Sequence, residues 1–281
     1  MQRRQFGATG IALPVIGQGT WNIPESKQRR SEAIATLQRG VALGMTHIDT
    51  AEMYGSGEVE RIVGEAIAPL ERASLFLVSK VLPSNASYDG TLAAAKRSLQ
   101  RLGTPYLDGY LLHWCGEYPV EETMRAMRTL IENGSIRFAG VSNCDLEDLE
   151  RAREALAPHP LICDQVLYHL HERTAEHRLF PYARLHEIAV VGYTPFGRKA
   201  ISALLADSTL REIAAAHDTS VRAVILAFLT REPMLFAIPK ASSIAHVEEN
   251  ALAGEIRLRS DECAAIDRAF PKGPLGDLAT L

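Results

Sequence analysis

Three apolar runs of the sequence each end in a polar side chain that could take part in catalysis. The runs close on Asp49, Lys80 and His113, and Tyr54 follows Asp49 by five residues. If the runs are neighbouring parallel strands, about 4.8 Å apart, their carboxyl ends bring these side chains to one edge of a sheet. The loop after Asp49 could then fold Tyr54 over that edge, which makes the four residues candidates for one site.

These four side chains suit the reduction of a carbonyl group, which needs a hydride at carbon and a proton at oxygen. Free tyrosine has a pKa of about 10, and a neighbouring ammonium lowers that pKa because it favours the phenolate. Lys80 could supply the charge, Asp49 could hold Lys80 and compensate its burial, and His113 could orient the carbonyl oxygen. We therefore predict Tyr54 as the proton donor.

Taken singly, each of these residues also has a structural explanation. Asp49 could cap the next element, Tyr54 could be a packing residue, Lys80 a solvated strand end and His113 a core histidine. The catalytic interpretation depends on their occurrence together at three successive strand ends.

Strand patterns alternate with amphipathic helix patterns along the whole chain. The eight predicted strands cover residues 14–20, 46–50, 75–80, 107–114, 136–143, 163–169, 189–196 and 234–240. Nearly continuous apolar runs indicate parallel strands buried on both faces, and their alternation with helices indicates βαβ units. An open dinucleotide-binding sheet would show GxGxxG after its first strand, and this sequence does not. We predict an α/β protein with a (β/α)8 TIM barrel, formed by residues 1–281 as one domain.

The residues before the first predicted barrel strand form a separate small element. Gly7 and Gly10 enclose a short turn between two possible strand arms, at 5–6 and 11–13. Glycine favours such turns because it adopts positive φ at little cost. We therefore predict an N-terminal β-hairpin.

Composition excludes several classes of partner. The 281 residues are 47% hydrophobic and 23% charged, with a formal net charge of -4. The charges are mixed, so no basic surface for nucleic acid is expected. No run of about 20 apolar residues could span a bilayer, and the N-terminus lacks the apolar stretch of a secretory signal. We expect a cytoplasmic monomer that acts on a small molecule.

The four cysteines are widely spaced and form no CxxC pair. Zinc sites usually show such paired ligands, so we predict no metal. Sparse cysteines of this kind are typical of reduced thiols in the cytoplasm, and we interpret them as small buried or half-buried side chains.

Several motifs resemble the signature of the aldo-keto reductase family. They are IDTAEMYG at 48–55, VSK at 78–80, LLHW at 111–114, GVSN at 140–143 and IPK at 238–240. The resemblance covers nearly the whole chain in the order and spacing of the family. It implies that Asp49, Tyr54, Lys80 and His113 are the family's catalytic tetrad, and that the protein reduces aldehydes or ketones to alcohols with NADPH.

The same resemblance implies where the cofactor lies, extended across the barrel mouth. The implied residues of the first loop and the nicotinamide end are Gly19, Thr20, Trp21, Ser142, Asn143, Gln165 and Tyr193. The implied pyrophosphate segment is Thr194, Pro195, Phe196 and Gly197. The implied adenosine end is Lys240, Ser242, His246, Glu249 and Asn250. The substrate pocket would be walled by Trp21, Tyr54, His113 and Trp114.

Two positions depart from the family pattern at the adenosine end. Ala241 stands where a serine is usual, and His246 stands where an arginine is usual. Lys240 still precedes a predicted helix start, where free backbone N–H groups attract phosphate. We therefore predict NADPH as cofactor, with NADH possible but weaker.

Within the family, the segments at 17–21, 165–170 and 240–247 are similar to a bacterial methylglyoxal-reducing branch. The segment after Trp114 and the C-terminal tail are short, which leaves few residues to enclose a large substrate. Both observations predict small reactive aldehydes such as methylglyoxal.

Two other functions stay open at this point. One is a Schiff-base aldolase with Lys80 as nucleophile, which needs a lysine of lowered pKa without a permanent carboxylate partner. The other is a non-catalytic, nucleotide-sensing barrel subunit of a channel, against which the intact tetrad argues.

Overall fold

Ten strands and eleven α-helices make up the computed structural model, which describes residues 1–23, 27–198 and 201–280. The strands are β1 (Arg3–Gln5), β2 (Ala12–Pro14), β3 (Gln18–Gly19), β4 (His47–Asp49), β5 (Phe76–Val81), β6 (Leu107–Leu112), β7 (Ile136–Ser142), β8 (Leu161–Leu167), β9 (Ala189–Tyr193) and β10 (Leu235–Ala237). The helices are α1 (Lys27–Ala42), α2 (Glu58–Ile67), α3 (Tyr88–Leu102), α4 (Val120–Glu132), α5 (Leu146–Leu156), α6 (Leu179–Leu185), α7 (Ile201–Ala206), α8 (Ser208–Ala216), α9 (Val221–Leu229), α10 (Ile244–Leu252) and α11 (Ser260–Ala269).

The eight strands from β3 to β10 form one parallel sheet that closes into a barrel. Their order in the sheet follows the chain. The last seam is closed where Ala237 N donates to Val15 O (3.0 Å) and Gly17 N donates to Ala237 O (2.8 Å). A Cβ at Gly19 would lie 2.5 Å from Ile238 O, so this close approach requires glycine. The predicted barrel is confirmed.

The N-terminal hairpin covers the bottom of the barrel. Strands β1 and β2 pair antiparallel, as predicted, and the buried ring of Phe6 follows β1. Its centroid lies 5.5 Å from His47, 5.4 Å from Phe76 and 4.9 Å from Phe236. Because side chains fill this end of the barrel, the site is expected at the opposite face, where the carboxyl ends of the strands lie.

The predicted strand at 14–20 is two separate pieces. Pro14 pairs with Arg3 in the hairpin, whereas Ile16 bridges to Ala237 and Gln18 and Gly19 pair with β4 in the barrel. One apolar run spans both pieces, so the pattern hides the change of partner. Two later strands also end earlier than predicted, at Tyr193 and Ala237, because a proline follows each and offers no N–H to the ladder.

Helices pack their apolar faces on the outside of the barrel. In α2 this face is formed by the buried residues Val59, Ile62, Val63 and Ala66, as the helical spacing predicts. The barrel interior is filled by side chains such as Phe76 and Leu111. Within the described ranges, no helix combines the length and apolar character needed to cross a membrane.

Candidate active site

The four predicted catalytic residues converge at the carboxyl ends of β4, β5 and β6. Lys80 Nζ lies 2.5 Å from Asp49 Oδ1 and donates to Thr50 O at 3.0 Å and to Tyr54 Oη at 3.3 Å. Lys80 and Asp49 are 0% and 1% exposed. His113 follows β6, with its ring centroid 5.7 Å from that of Tyr54. One buried ion pair therefore lies directly beneath the tyrosine hydroxyl.

A tight loop returns Tyr54 to the barrel mouth. Gly55, Ser56 and Gly57 have φ values of 55°, 51° and 92°, all in the left-handed region, before α2 begins at Glu58. Two of the three are glycines, which adopt this conformation readily. The turn holds the phenol half-buried over Lys80 rather than letting it point into solvent.

The charges around the tetrad favour a protonated phenol, a charged lysine and a neutral histidine. Burial raises the pKa of Tyr54, and Lys80 offsets only part of that rise. Burial would lower the pKa of Lys80, but Asp49 and Tyr54 outweigh it and raise the pKa. Burial and then Lys80 lower the pKa of His113 to about 2. Lys80 acts in the expected direction and lowers the pKa of Tyr54, but burial is the larger effect and leaves that pKa raised in the free protein.

The tetrad opens into a cleft at the barrel mouth. Trp21 and Trp114, which are 41% and 37% exposed, stand at its walls. Three lining residues were not predicted, Met53, Arg198 and Ile238. The Arg198 guanidinium lies 4.5 Å above the Trp21 ring. Neighbouring motif residues were the signal that could have indicated all three, since Met53 precedes Tyr54, Arg198 follows the predicted loop at 194–197 and Ile238 begins the motif that contains Lys240.

A polar group at the ends of β7 and β8 is hydrogen-bonded to the tetrad. Gln165 Nε2 donates to Asp49 Oδ2 (2.8 Å), and Ser142 Oγ donates to Gln165 O (2.8 Å). Asn143 Nδ2 donates to the backbone oxygen of His113 (3.1 Å). Asn143 has a φ of 54°, a conformation that asparagine tolerates better than most residues. These amides fix the strand ends that hold Asp49 and His113.

Further predicted cofactor residues line the same cleft. They are Gly19, Thr20, Trp21, Tyr193, Thr194 and Lys240, beside the three polar residues just described. Tyr193 Oη donates to Asn143 Oδ1 at 2.8 Å. Burial, and to a lesser extent Arg29, lowers the pKa of the half-buried Lys240. The cleft therefore extends from the tetrad to a cation near the start of α10.

Seven other predicted cofactor residues, all in the described part of the chain, lie away from the cleft wall. They are Pro195, Phe196, Gly197, Ser242, His246, Glu249 and Asn250. Phe196 and Glu249 both contact Arg222 of α9, with the guanidinium 5.2 Å from the ring and Nε 3.5 Å from the carboxylate. The Ser242 hydroxyl lies 3.3 Å from His246 Nδ1 at the start of α10.

Comparison with known proteins identifies the family of this protein. A model of the aldo/keto reductase family matches residues 15–270. The chain therefore belongs to the aldo/keto reductase family, whose members are NADP-dependent oxidoreductases. The predicted family and enzyme class are confirmed.

Individual relatives agree with this assignment. Methylglyoxal reductase YeaE of Escherichia coli (strain K12) is 42% identical, over 99% of each chain. Glyoxal reductase of Bacillus subtilis (strain 168) is 31% identical, over 92% of this chain and 89% of the relative. A crystal structure of an aldo/keto reductase from Klebsiella pneumoniae in complex with NADP and acetate is 39% identical, covers 100% of both chains and has a TM-score of 0.92.

Proposed function

We propose that this protein reduces small reactive aldehydes, methylglyoxal foremost, to alcohols with NADPH. The observation that carries the proposal is the Tyr54 hydroxyl held 3.3 Å from Lys80 Nζ, above a buried Asp49–Lys80 pair, at the floor of the cleft. NADPH, when bound, supplies the hydride. The side chains of this chain supply the proton and the charge that balances its departure.

Tyr54 is proposed as the general acid. Its raised pKa keeps the phenol protonated at neutral pH, so a proton is available for the carbonyl oxygen. When that proton leaves, the Lys80 ammonium stabilises the tyrosinate, and Asp49 keeps Lys80 charged. His113 stays neutral and can donate one hydrogen bond that orients the carbonyl oxygen.

The donor set of the cleft fits a phosphorylated dinucleotide. Ser142, Asn143 and Gln165 offer amide and hydroxyl groups beside the tetrad, where a carboxamide could be held. Asn250, on α10 and away from the cleft wall, is buried, and its Oδ1 has no hydrogen-bond partner among the described residues. Lys240 lies close to the start of α10, where a phosphate would find free N–H groups.

The proposed substrate follows from the walls of the cleft and from the relatives. Trp21, Trp114 and Tyr54 provide apolar surface close to the tetrad, which suffices for a three-carbon molecule. The relatives from Escherichia coli and Bacillus subtilis are named for methylglyoxal and glyoxal. An adjacent carbonyl also makes an aldehyde more electrophilic, so reactivity helps where binding energy is scarce.

The aldolase alternative is disfavoured by the same ion pair. A Schiff-base lysine attacks as the neutral amine, whereas Asp49 raises the pKa of Lys80 and keeps it charged. A nucleotide-sensing subunit would bind the cofactor with little turnover, so sustained carbonyl-dependent oxidation of NADPH distinguishes that function. The cytoplasmic location, the monomeric state and the one-domain organisation stay predictions.

The test is a substrate panel followed through the absorbance of the reduced nicotinamide. We expect kcat/KM for methylglyoxal to exceed that for a straight-chain aldehyde, an aromatic aldehyde, a steroid ketone and an aldose. A steroid or aldose better than methylglyoxal by about tenfold, which is about 1.4 kcal/mol in transition-state binding, would contradict the substrate assignment. Absence of NADPH oxidation with every carbonyl would contradict the reductase function.

A further inference from the structure

Two cysteines that are distant in sequence lie in contact beside the active site. Cys115 comes two residues after His113, and Cys144 directly follows Asn143. Both are free thiols, and their Sγ atoms lie 2.8 Å apart. A disulfide has an S–S length of about 2.05 Å, so the two sulfurs need to approach by only about 0.8 Å to become bonded.

The register of the barrel explains why these cysteines meet. Leu112 of β6 pairs with Val141 of β7, and each cysteine lies three residues beyond its member of this pair. Neighbouring parallel strands are about 4.8 Å apart. The two strands thus enter their loops within the Cα separations of about 4.4–6.8 Å that disulfides span, and the Sγ contact of 2.8 Å follows three residues later.

The two thiols differ in their access to solvent. Cys115 is half-buried and lines a groove shared with Thr174, Arg178 and Asp277. Cys144 is 1% exposed. The contact with Cys115 and then burial raise the pKa of the Cys144 thiol well above its usual range. An oxidant therefore reaches Cys115 first, and Cys144 lies beneath it as a protonated thiol.

We propose that Cys115 and Cys144 are a redox-modification site, which a hydroperoxide converts to a reversible disulfide. The Cys115 thiolate attacks one peroxide oxygen, the O–O bond breaks, and a sulfenic acid forms with release of water or an alcohol. Cys144 sulfur then attacks the sulfenic sulfur, the S–O bond breaks, and the Cys144 proton leaves with the hydroxyl as water. The two sulfurs together lose two electrons, which reduce the peroxide.

This bond would join the two loops that leave β6 and β7. One loop holds His113 and Trp114, and the other holds Asn143, whose Nδ2 already donates to His113 O at 3.1 Å. Catalytic geometry is sensitive to shifts as small as the approach of the two sulfurs, since a misplacement of about 1 Å can cost about a hundredfold in rate. We expect the oxidised protein to lose at least about tenfold in kcat, and dithiothreitol to restore it.

Full-length protein treated with hydrogen peroxide, alkylated without reduction and digested, tests the bond by mass spectrometry. We expect a peptide pair linked through Cys115 and Cys144, and its loss after dithiothreitol. Recovery of Cys115 as sulfinic or sulfonic acid, or of both cysteines as alkylated thiols, would overturn the disulfide. This readout is independent of catalysis, so it stands even if the proposed reductase function fails.

Matched variants test the effect on activity, which does rest on the proposed function. Cys115→Ser and Cys144→Ser should each lose the linked peptide, and Cys115→Ser should keep its rate in peroxide. Cys263→Ser, which replaces a half-buried cysteine on α11, should remain as sensitive as the wild type. A complete crosslink with unchanged kcat, or equal sensitivity of Cys115→Ser and wild type, would overturn the coupling to catalysis.

Discussion

Two tyrosines of this protein have a hydroxyl beside a cation, and they differ in what else surrounds that hydroxyl. Tyr54 Oη is 3.3 Å from Lys80 and faces the open cleft. Tyr168 Oη accepts from Arg231 at 2.9 Å and donates to Glu176 at 2.6 Å, and its side chain is 1% exposed. Both hydroxyls thus have a cation beside them, but only Tyr54 opens onto a space that could hold a substrate.

The cluster around Tyr168 is joined by ion pairs and hydrogen bonds among its own residues. Arg173 donates to Glu176, to Asp267 and to the carbonyl of Phe270. Burial raises the pKa of Tyr168, and Glu176 accepts its proton in a hydrogen bond. We infer that a cation beside a tyrosine is not sufficient for acid catalysis. The hydroxyl also needs an open side and no carboxylate that already accepts its proton.

The largest effect is expected from Lys80→Met. We expect activity to fall by at least about a hundredfold, in the range of general acid catalysis, because the tyrosinate loses its counter-charge. Burial would then raise the Tyr54 pKa without opposition, so the basic limb of the residual pH–rate profile should move to higher pH. The profile of kcat/KM against pH checks this, and an unmoved limb would contradict the coupling of Lys80 to Tyr54.

Stability must be separated from catalysis in that experiment. Removing one partner of a buried ion pair commonly costs about 3–5 kcal/mol, so Lys80→Met alone should unfold at lower urea than the wild type. The double variant Asp49→Asn/Lys80→Met removes both charges and should recover most of that stability while staying inactive. Recovery of activity in the double variant would mean that the single variant failed through misfolding.

A smaller effect, on stability alone, is expected from Glu176→Gln. Burial would raise the pKa of Glu176, but Arg173, Arg231 and Tyr168 together hold it at about 2, against 4.5 for an ordinary glutamate. A lowered carboxylate pKa contributes stability above the unfolded value, and this is lost as pH falls through the folded value. The contribution is about 3 kcal/mol at pH 7, since one pKa unit is about 1.36 kcal/mol.

Urea unfolding of wild type and Glu176→Gln at neutral and acidic pH checks this prediction. The difference in free energy of unfolding between wild type and variant should narrow as the pH falls from about 4.5 to about 2. Turnover of methylglyoxal by the variant at neutral pH should stay near that of the wild type. Glu121→Gln, which breaks an exposed pair with Arg151, serves as control and should cost less than about 1 kcal/mol. A difference for Glu176→Gln that is equal at both pH values would refute the electrostatic account.

The smallest of these effects is expected from Lys240→Ala. Lys240 lies on the cleft, close to the start of α10. Charge-assisted bonds of about 1.5–3 kcal/mol should therefore favour NADPH over NADH by about ten- to hundredfold, and the variant should lose this preference. Lys272→Ala, in the Glu176 cluster, should keep it. Equal losses for both cofactors would show that Lys240 does not recognise the 2′-phosphate.

The barrel and the positions of the proposed catalytic residues could be predicted from the sequence because both depend on local patterns. Asp49, Lys80 and His113 each close an apolar run, and parallel strands place such ends together. Tyr54 could be included because it follows Asp49 by five residues, in the loop that leaves that strand. Family resemblance then supplied the cofactor residues, of which those near the tetrad line the cleft and several near the adenosine end do not.

What the sequence does not show depends on contacts between distant segments. The meeting of Cys115 and Cys144 requires the register of β6 on β7, which no local pattern encodes. Whether the pKa of Tyr54 is raised or lowered depends on how the effect of burial compares with that of the nearby Lys80 ammonium. The division of the first predicted strand after Pro14 depends on the hydrogen bonds that Val15 and Gly17 form with Ala237. These bonds join distant parts of the chain and form only when the barrel closes.

The two tyrosines themselves provide the most direct measurement of the central claim, that Tyr54 donates the proton. Tyr54→Phe and Tyr168→Phe remove one hydroxyl each, and kcat/KM for methylglyoxal with NADPH is compared with the NADPH dissociation constant. We predict that Tyr54→Phe loses at least about a hundredfold in kcat/KM with NADPH affinity nearly unchanged, and that Tyr168→Phe keeps its activity. A Tyr54→Phe variant with more than about a tenth of the wild-type kcat/KM, about 1.4 kcal/mol in transition-state stabilisation, would contradict the claim.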